Sequence, residues 1–191
     1  MKINIKEIFG ISNLISILRM LLVIPTIYFL GKINEDGSYR IIVILLFLGA
    51  YLTDLLDGFL ARKLNQITET GKIIDPLADK IFVVLIVLKL FWMGEIPVYY
   101  FWIVILRDVI IFTGGIYVSN VIGKVLPSNL LGKITVSTIA AFLLGVVGGA
   151  RSIPWLYDTL LYVSIIFSFA SVIGYGIRGY ENIKWVKENN V

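Results

Sequence analysis

Residues 54–79 read DLLDGFLARKLNQITETGKIIDPLAD, and the placement of their acids decides how the chain is built. Asp54 and Asp57 close an apolar run that begins at Ile41, and Asp75 and Asp79 open another that runs to Met93. Three- and four-residue spacings put each pair on one face of a helix. Gly58 and Ala61 continue the first face, and Arg62 follows at its end. A polar connection from Lys63 to Thr70 separates the two runs, and Asp75-Pro76 reads as an N-cap followed by a proline in the first turn. Two consecutive helices are thus expected to bring four carboxylates together where both meet water.

Working outward, hydrophobic residues make up 58% of the 191-residue chain, more than a soluble domain of this length needs. The apolar residues fall into six continuous stretches, Ile11–Leu30, Ile41–Ala61, Pro76–Met93, Val98–Val118, Ile134–Gly149 and Leu156–Ile177. Each approaches the roughly 20 residues that cross a hydrocarbon core as a helix. Continuous rather than alternating runs exclude a barrel of strands. The expectation is therefore one all-α integral membrane domain over residues 1–191, with six transmembrane helices. Before them, Ile3, Ile5, Ile8 and Phe9 interleave with Lys2, Lys6 and Glu7, which predicts an N-terminal interfacial amphipathic helix.

Lys2, Lys6, Arg62, Lys63, Lys72, Lys124, Lys133, Arg178, Lys184 and Lys187 fall on one side of the six spans. Lys32, Arg40 and Arg151 fall on the other. The basic side is the cytoplasmic one, so both termini and the acidic cluster belong there. Trp92, Tyr99, Tyr100, Trp155 and Tyr157 flank the opposite connections as interfacial anchors. The net charge of +4 fits anionic lipid head groups rather than nucleic acid in so apolar a chain.

The chain has neither cysteine nor histidine. Disulfides, thiolate metal sites and every mechanism that turns on an imidazole are excluded. Chemistry must rest on carboxylates, Lys, Arg, Tyr and backbone. Four carboxylates in one place repel strongly unless cations neutralise them, and no run of Lys or Arg is interleaved with these. Hard divalent ions with oxygen ligands answer that need, which points to Mg²⁺ or Mn²⁺, two ions clamping the oxygens of a reacting phosphorus. Gly58 and Gly71 let a nucleotide approach the backbone, and Arg62 can pair with phosphate.

These residues match D-x2-D-G-x2-A-R-x8-G-x3-D-x3-D at every fixed position, so the chain resembles the CDP-alcohol phosphotransferase family, and the six-span layout resembles it over nearly the whole length. The resemblance implies that Asp54, Asp57, Asp75 and Asp79 bind metal and that Asp79 also acts as general base. It implies that Gly58, Ala61, Arg62 and Gly71 line a CDP pocket, with Asn13, Ser16 and Arg19 of the first span helping to hold the nucleotide. The reaction implied is transfer of a phosphatidyl group from CDP-diacylglycerol to an alcohol with release of CMP. Homodimers in a bacterial cell membrane are implied as well.

For the acceptor, the chain resembles the small bacterial members that use glycerol 3-phosphate and make phosphatidylglycerol phosphate. Arg107, Lys133 and Arg178 are then acceptor-binding candidates; Arg107 also reads as an internal ion pair, and Lys133 and Arg178 as interfacial anchors. Two departures keep other acceptors open. Arg107-Asp108 resembles the Arg-Asp of cardiolipin synthases of this fold, which take phosphatidylglycerol, and Thr135 stands where a second lysine is common. An inositol-phosphate acceptor is a further alternative. From a different class, a small membrane transporter would also carry intramembrane acids, but near the midplane rather than at one end.

Overall fold

The computed structural model describes residues 11–63, 71–123 and 130–189, with the side chains of 11–16, 54–63, 71–79, 187 and 189 outside the described set. Six long helices follow one another: α1 Ile11–Lys32, α2 Tyr39–Lys63, α3 Gly71–Trp92, α4 Val98–Ile122, α5 Leu130–Val147 and α6 Pro154–Asn189. A single 3₁₀ turn, Ala150–Ser152, joins the last two. The chain is all-helical among the described residues, as its uninterrupted apolar runs require. Val98–Ile122, Leu130–Val147 and Pro154–Val186 are each long and apolar enough to cross a membrane. The expected interfacial helix falls on residues outside the described set.

Two compact units divide the chain, Met1–Glu95 and Ile96–Val191. In the first, α1 packs against both α2 and α3. The α1–α2 turn is short and polar. Asp36 Oδ1 accepts the backbone N–H of Ser38 at 2.8 Å, and that bond holds the Asp36 carboxyl below the usual carboxylate range. Phe29 stacks on Tyr39 beside this turn, with ring centroids 5.6 Å apart. Phe47 of α2 meets Phe82 of α3 edge to face at 5.5 Å. A short turn between two packed helices makes them antiparallel, so the first turns of α1 and the last turns of α2 lie at the same end.

In the second unit, α6 packs against both α4 and α5. Gly123 closes α4 in the left-handed conformation, φ 71°, its N–H bonded to the Ser119 carbonyl. Between α5 and α6 the approach is close: a Cβ on Gly145 would sit 2.6 Å from Leu160 Cδ1. Small residues at such crossings let backbones approach where lipid removes the hydrophobic drive for association. Phe142 fills the centre, fully buried, with its ring 4.5 Å from Tyr100 and 5.4 Å from Tyr157. Phe142→Ala is expected to destabilise the protein by about 3–5 kcal/mol through the void and the lost edge contacts. Thermal unfolding in detergent checks this, and an unchanged midpoint would contradict the packing.

Two boundaries differ from the sequence expectation. The α3 helix begins at Gly71, so Asp75 is not its N-cap and Pro76 is not in its first turn. Pro76 has no N–H to donate to the carbonyl four residues back, so the helix lacks that bond. At the other end, α6 continues to Asn189, well past Ile177 where hydropathy falls. Loss of apolar character ends a span but not a helix. Beyond Ile177, Asn182 Nδ2 donates to the Arg178 carbonyl at 2.8 Å, and Lys184 pairs with Glu188 at 3.7 Å one turn on.

Candidate functional site

The helices place the acidic residues by register. Asp54 and Asp57 lie in the last turns of α2, and Asp75 and Asp79 in the early turns of α3. Each pair keeps the spacing of a shared face. Gly58, Ala61 and Arg62 follow on α2, and Gly71 is the first residue of α3. Asn13 and Ser16 belong to the first turns of α1, at the end that the α1–α2 hairpin shares with the end of α2. The side chains of all these residues lie outside the described set, so register and helix order are what place them.

Slightly deeper in α1, Arg19 is described and is only 2% exposed. A guanidinium so buried in an apolar helix is expensive unless it is paired or serves a site. Its position, one turn beyond Ser16 at the acid-bearing end, supplies fixed positive charge near the four carboxylates' helices.

The donor set itself can be tested against a metal. Four carboxylates from two consecutive helices, with no sulfur or imidazole in the pattern, suit Mg²⁺ or Mn²⁺ and suit a soft metal poorly. The residues therefore fit the ions that the sequence implies.

A second polar assembly lies in the other unit. Arg107, on α4, is 8% exposed. Its Nε donates to Ser171 Oγ at 3.1 Å, and its Nη1 donates to the carboxylate of the adjacent Asp108. Ser171 in turn donates to the Ser168 carbonyl at 2.8 Å, and Ser168 to the Ser164 carbonyl at 2.7 Å. Ser164 Oγ lies 3.2 Å from the Tyr100 hydroxyl and donates to the Leu161 carbonyl at 2.9 Å. All three serines are buried. Their spacing of four and three sets them on one face of α6, and this face meets α4. The sequence reading missed this seam, although three serines at helical spacing inside an apolar run were the available signal.

The acceptor candidates differ in burial. Arg107 is held inside the unit, Lys133 is exposed near the start of α5, and Arg178 is half-buried on α6. Thr135, at the position where a second lysine is common in the family, is fully buried. Its hydroxyl lies 2.8 Å from the Leu131 carbonyl and 2.9 Å from the Phe167 carbonyl, which ties α5 to α6. A lysine there would lose this helix–helix bond.

A family model described as CDP-alcohol phosphatidyltransferase matches residues 9–170. The CDP-diacylglycerol--glycerol-3-phosphate 3-phosphatidyltransferase of Aquifex aeolicus is 34% identical over 181 residues, which cover 91% of this chain and 98% of that protein. The protein of the same description from Bacillus subtilis is 34% identical over 145 residues, 73% of this chain and 74% of its own. One from Mycoplasma genitalium is 28% identical over 202 residues, 91% and 85% respectively.

Proposed function

The chain belongs to the CDP-alcohol phosphatidyltransferase family, and from that premise we propose that it transfers the phosphatidyl group of CDP-diacylglycerol to glycerol 3-phosphate, giving phosphatidylglycerol phosphate and CMP. The observation that carries the reading is the intact Asp54–Asp79 pattern inside a chain that aligns with nearly all of a relative described by that activity. A transporter has no need of this pattern.

In the mechanism we infer, the primary hydroxyl of the acceptor attacks the phosphorus that bears diacylglycerol. The bond between that phosphorus and the oxygen bridging to CMP breaks, and CMP leaves with the electron pair. Asp79 takes the hydroxyl proton as general base. Asp54, Asp57, Asp75 and Asp79 would hold Mg²⁺ or Mn²⁺, two ions in our reading. Bound there, the ions supply neutralising charge and Lewis acidity at the phosphoryl oxygens. Gly58, Ala61, Arg62 and Gly71 line the nucleotide side, with Asn13 and Ser16 from α1. Arg107, Lys133 and Arg178 offer positive charge to the acceptor phosphate.

The same reading sets all six helices across the membrane and residues 1–10 along its inner surface. Both termini and the acidic end face the cytoplasm, where the nucleotide and the polar acceptor are found. A lateral opening to the bilayer admits the lipid donor. A homodimer follows from the family likeness.

Two features favour a second acceptor. Thr135 is committed to helix packing, and the Arg107-Asp108 pair resembles that of members that take phosphatidylglycerol. The deciding experiment supplies the purified protein with CDP-diacylglycerol and, separately, glycerol 3-phosphate, phosphatidylglycerol or inositol phosphate, and follows CMP release. Glycerol 3-phosphate is expected to be preferred by at least about tenfold, the scale that one charged contact commands. CMP release with phosphatidylglycerol and none with glycerol 3-phosphate would replace the product while leaving the reaction class intact.

A further inference from the structure

The way Arg107 is held points to a role for a residue on another helix. A guanidinium is planar and offers five donors, so two anchored N–H groups fix its plane and leave the others aimed in a set direction. Ser171 Oγ receives Nε at 3.1 Å, and the Asp108 carboxylate receives Nη1. Among the described residues these are the only protein partners of Arg107, and Nη2 has none.

The Ser171 hydroxyl is itself constrained. Its proton is given to the Ser168 carbonyl at 2.8 Å, so what it turns toward Arg107 is a lone pair. Ser171 is fully buried, so water does not compete for that contact. The serine adds no charge of its own. It fixes the guanidinium without cancelling it, which a second carboxylate would do.

We propose that Ser171 is a positioning residue for acceptor recognition: by accepting the Arg107 Nε–H it holds the guanidinium with its remaining N–H groups directed at the phosphate oxygens of the acceptor. The inference rests on the glycerol 3-phosphate reading above. It predicts that Ser171 influences the affinity for a phosphate-bearing acceptor and leaves the affinity for the nucleotide-lipid donor alone.

The test compares steady-state kinetics of the purified full chain and three variants, with both substrates varied. Ser171→Ala is expected to raise KM for glycerol 3-phosphate about tenfold while KM for CDP-diacylglycerol stays within about twofold. Ser171→Thr keeps the accepting oxygen and is expected to remain near the parent in both. Ser168→Ala removes a hydroxyl of the same seam that does not touch Arg107, and is expected to leave the acceptor KM unchanged. Should Ser171→Ala fail to fold, Ser171→Cys, nearly equal in size and a weak acceptor, carries the same expectation.

An unchanged acceptor KM in the alanine or cysteine variant overturns the inference. So does an equal rise in both KM values, or an equal effect from Ser168→Ala, since either marks the seam as packing alone. A parent protein that releases no CMP with glycerol 3-phosphate overturns the acceptor reading instead, and the inference with it, so the two failures are told apart by the parent's own turnover.

Discussion

Asp79→Asn is expected to lower CMP release by at least about a thousandfold while the protein still purifies as a folded helical membrane protein. Asparagine matches aspartate in size and keeps a carbonyl oxygen, so a purely structural role would survive the exchange. It lacks the negative charge that holds a divalent ion and has no basic oxygen to take a proton. Loss of a general base alone removes about 10²–10⁴ in rate. Loss of a ligand at the same position adds to that. The fold should tolerate the change, because Asp79 lies in the early turns of α3 and the Phe47–Phe82 contact between α2 and α3 is apolar and does not involve it. Removing one of four like charges also relieves repulsion in the metal-free protein, so its thermal midpoint in chelator should be unchanged or higher. Circular dichroism and thermal unfolding in detergent report the fold, and CMP release reports the chemistry. Turnover near that of the parent would remove Asp79 from the mechanism.

The legible and illegible parts of this molecule divide along physical lines. Helix positions follow from hydropathy, because in a bilayer every backbone polar group must bond within its own segment. The apolar runs at Val98 and Leu156 therefore appear as α4 and α6, each beginning within two residues of where the sequence places it. Helix ends are less legible. Asp75-Pro76 carries the local chemistry of a cap, yet α3 starts at Gly71, since a cap preference worth about 1 kcal/mol yields to another turn of hydrogen bonds. Past Ile177, α6 reaches Asn189 with the Lys184–Glu188 pair in its last turns, a continuation that hydropathy does not register.

The acidic signature stands out in the sequence because its spacing is chemically demanding: changing one interval would turn a carboxylate off its helix face, and its side chains lie outside the described residues. The buried seam does not stand out. Ser164, Ser168 and Ser171 are individually ordinary in an apolar helix, and their meaning arises only when α4 supplies Tyr100 and Arg107 opposite them. Thr135 shows the same limit. As a letter it reads as a missing lysine; in the fold it is a bond between two helices.

Withdrawing divalent metal is the other change expected to abolish activity. In excess chelator, CMP release should fall by at least about a thousandfold and return with Mg²⁺ or Mn²⁺. Ca²⁺ should restore it poorly, since it takes longer bonds and more ligands than a compact carboxylate site provides. Two unit charges 4 Å apart interact by about 4 kcal/mol near a protein surface, so four carboxylates gathered as proposed would be strongly strained without cations. Binding should therefore register in stability as well as in rate. An ion at about 100 times its dissociation constant adds about 2.7 kcal/mol to the folded state, and for a chain of this size that shifts the unfolding midpoint by several degrees. Asp57→Asn should remove most of that shift along with the activity. Calorimetric titration with Mn²⁺ measures the same ions without any substrate present, and two should bind to the parent protein. Full turnover in chelator, with no thermal shift on adding Mn²⁺, would leave the four carboxylates without their cations and the proposed chemistry without its neutralising charge.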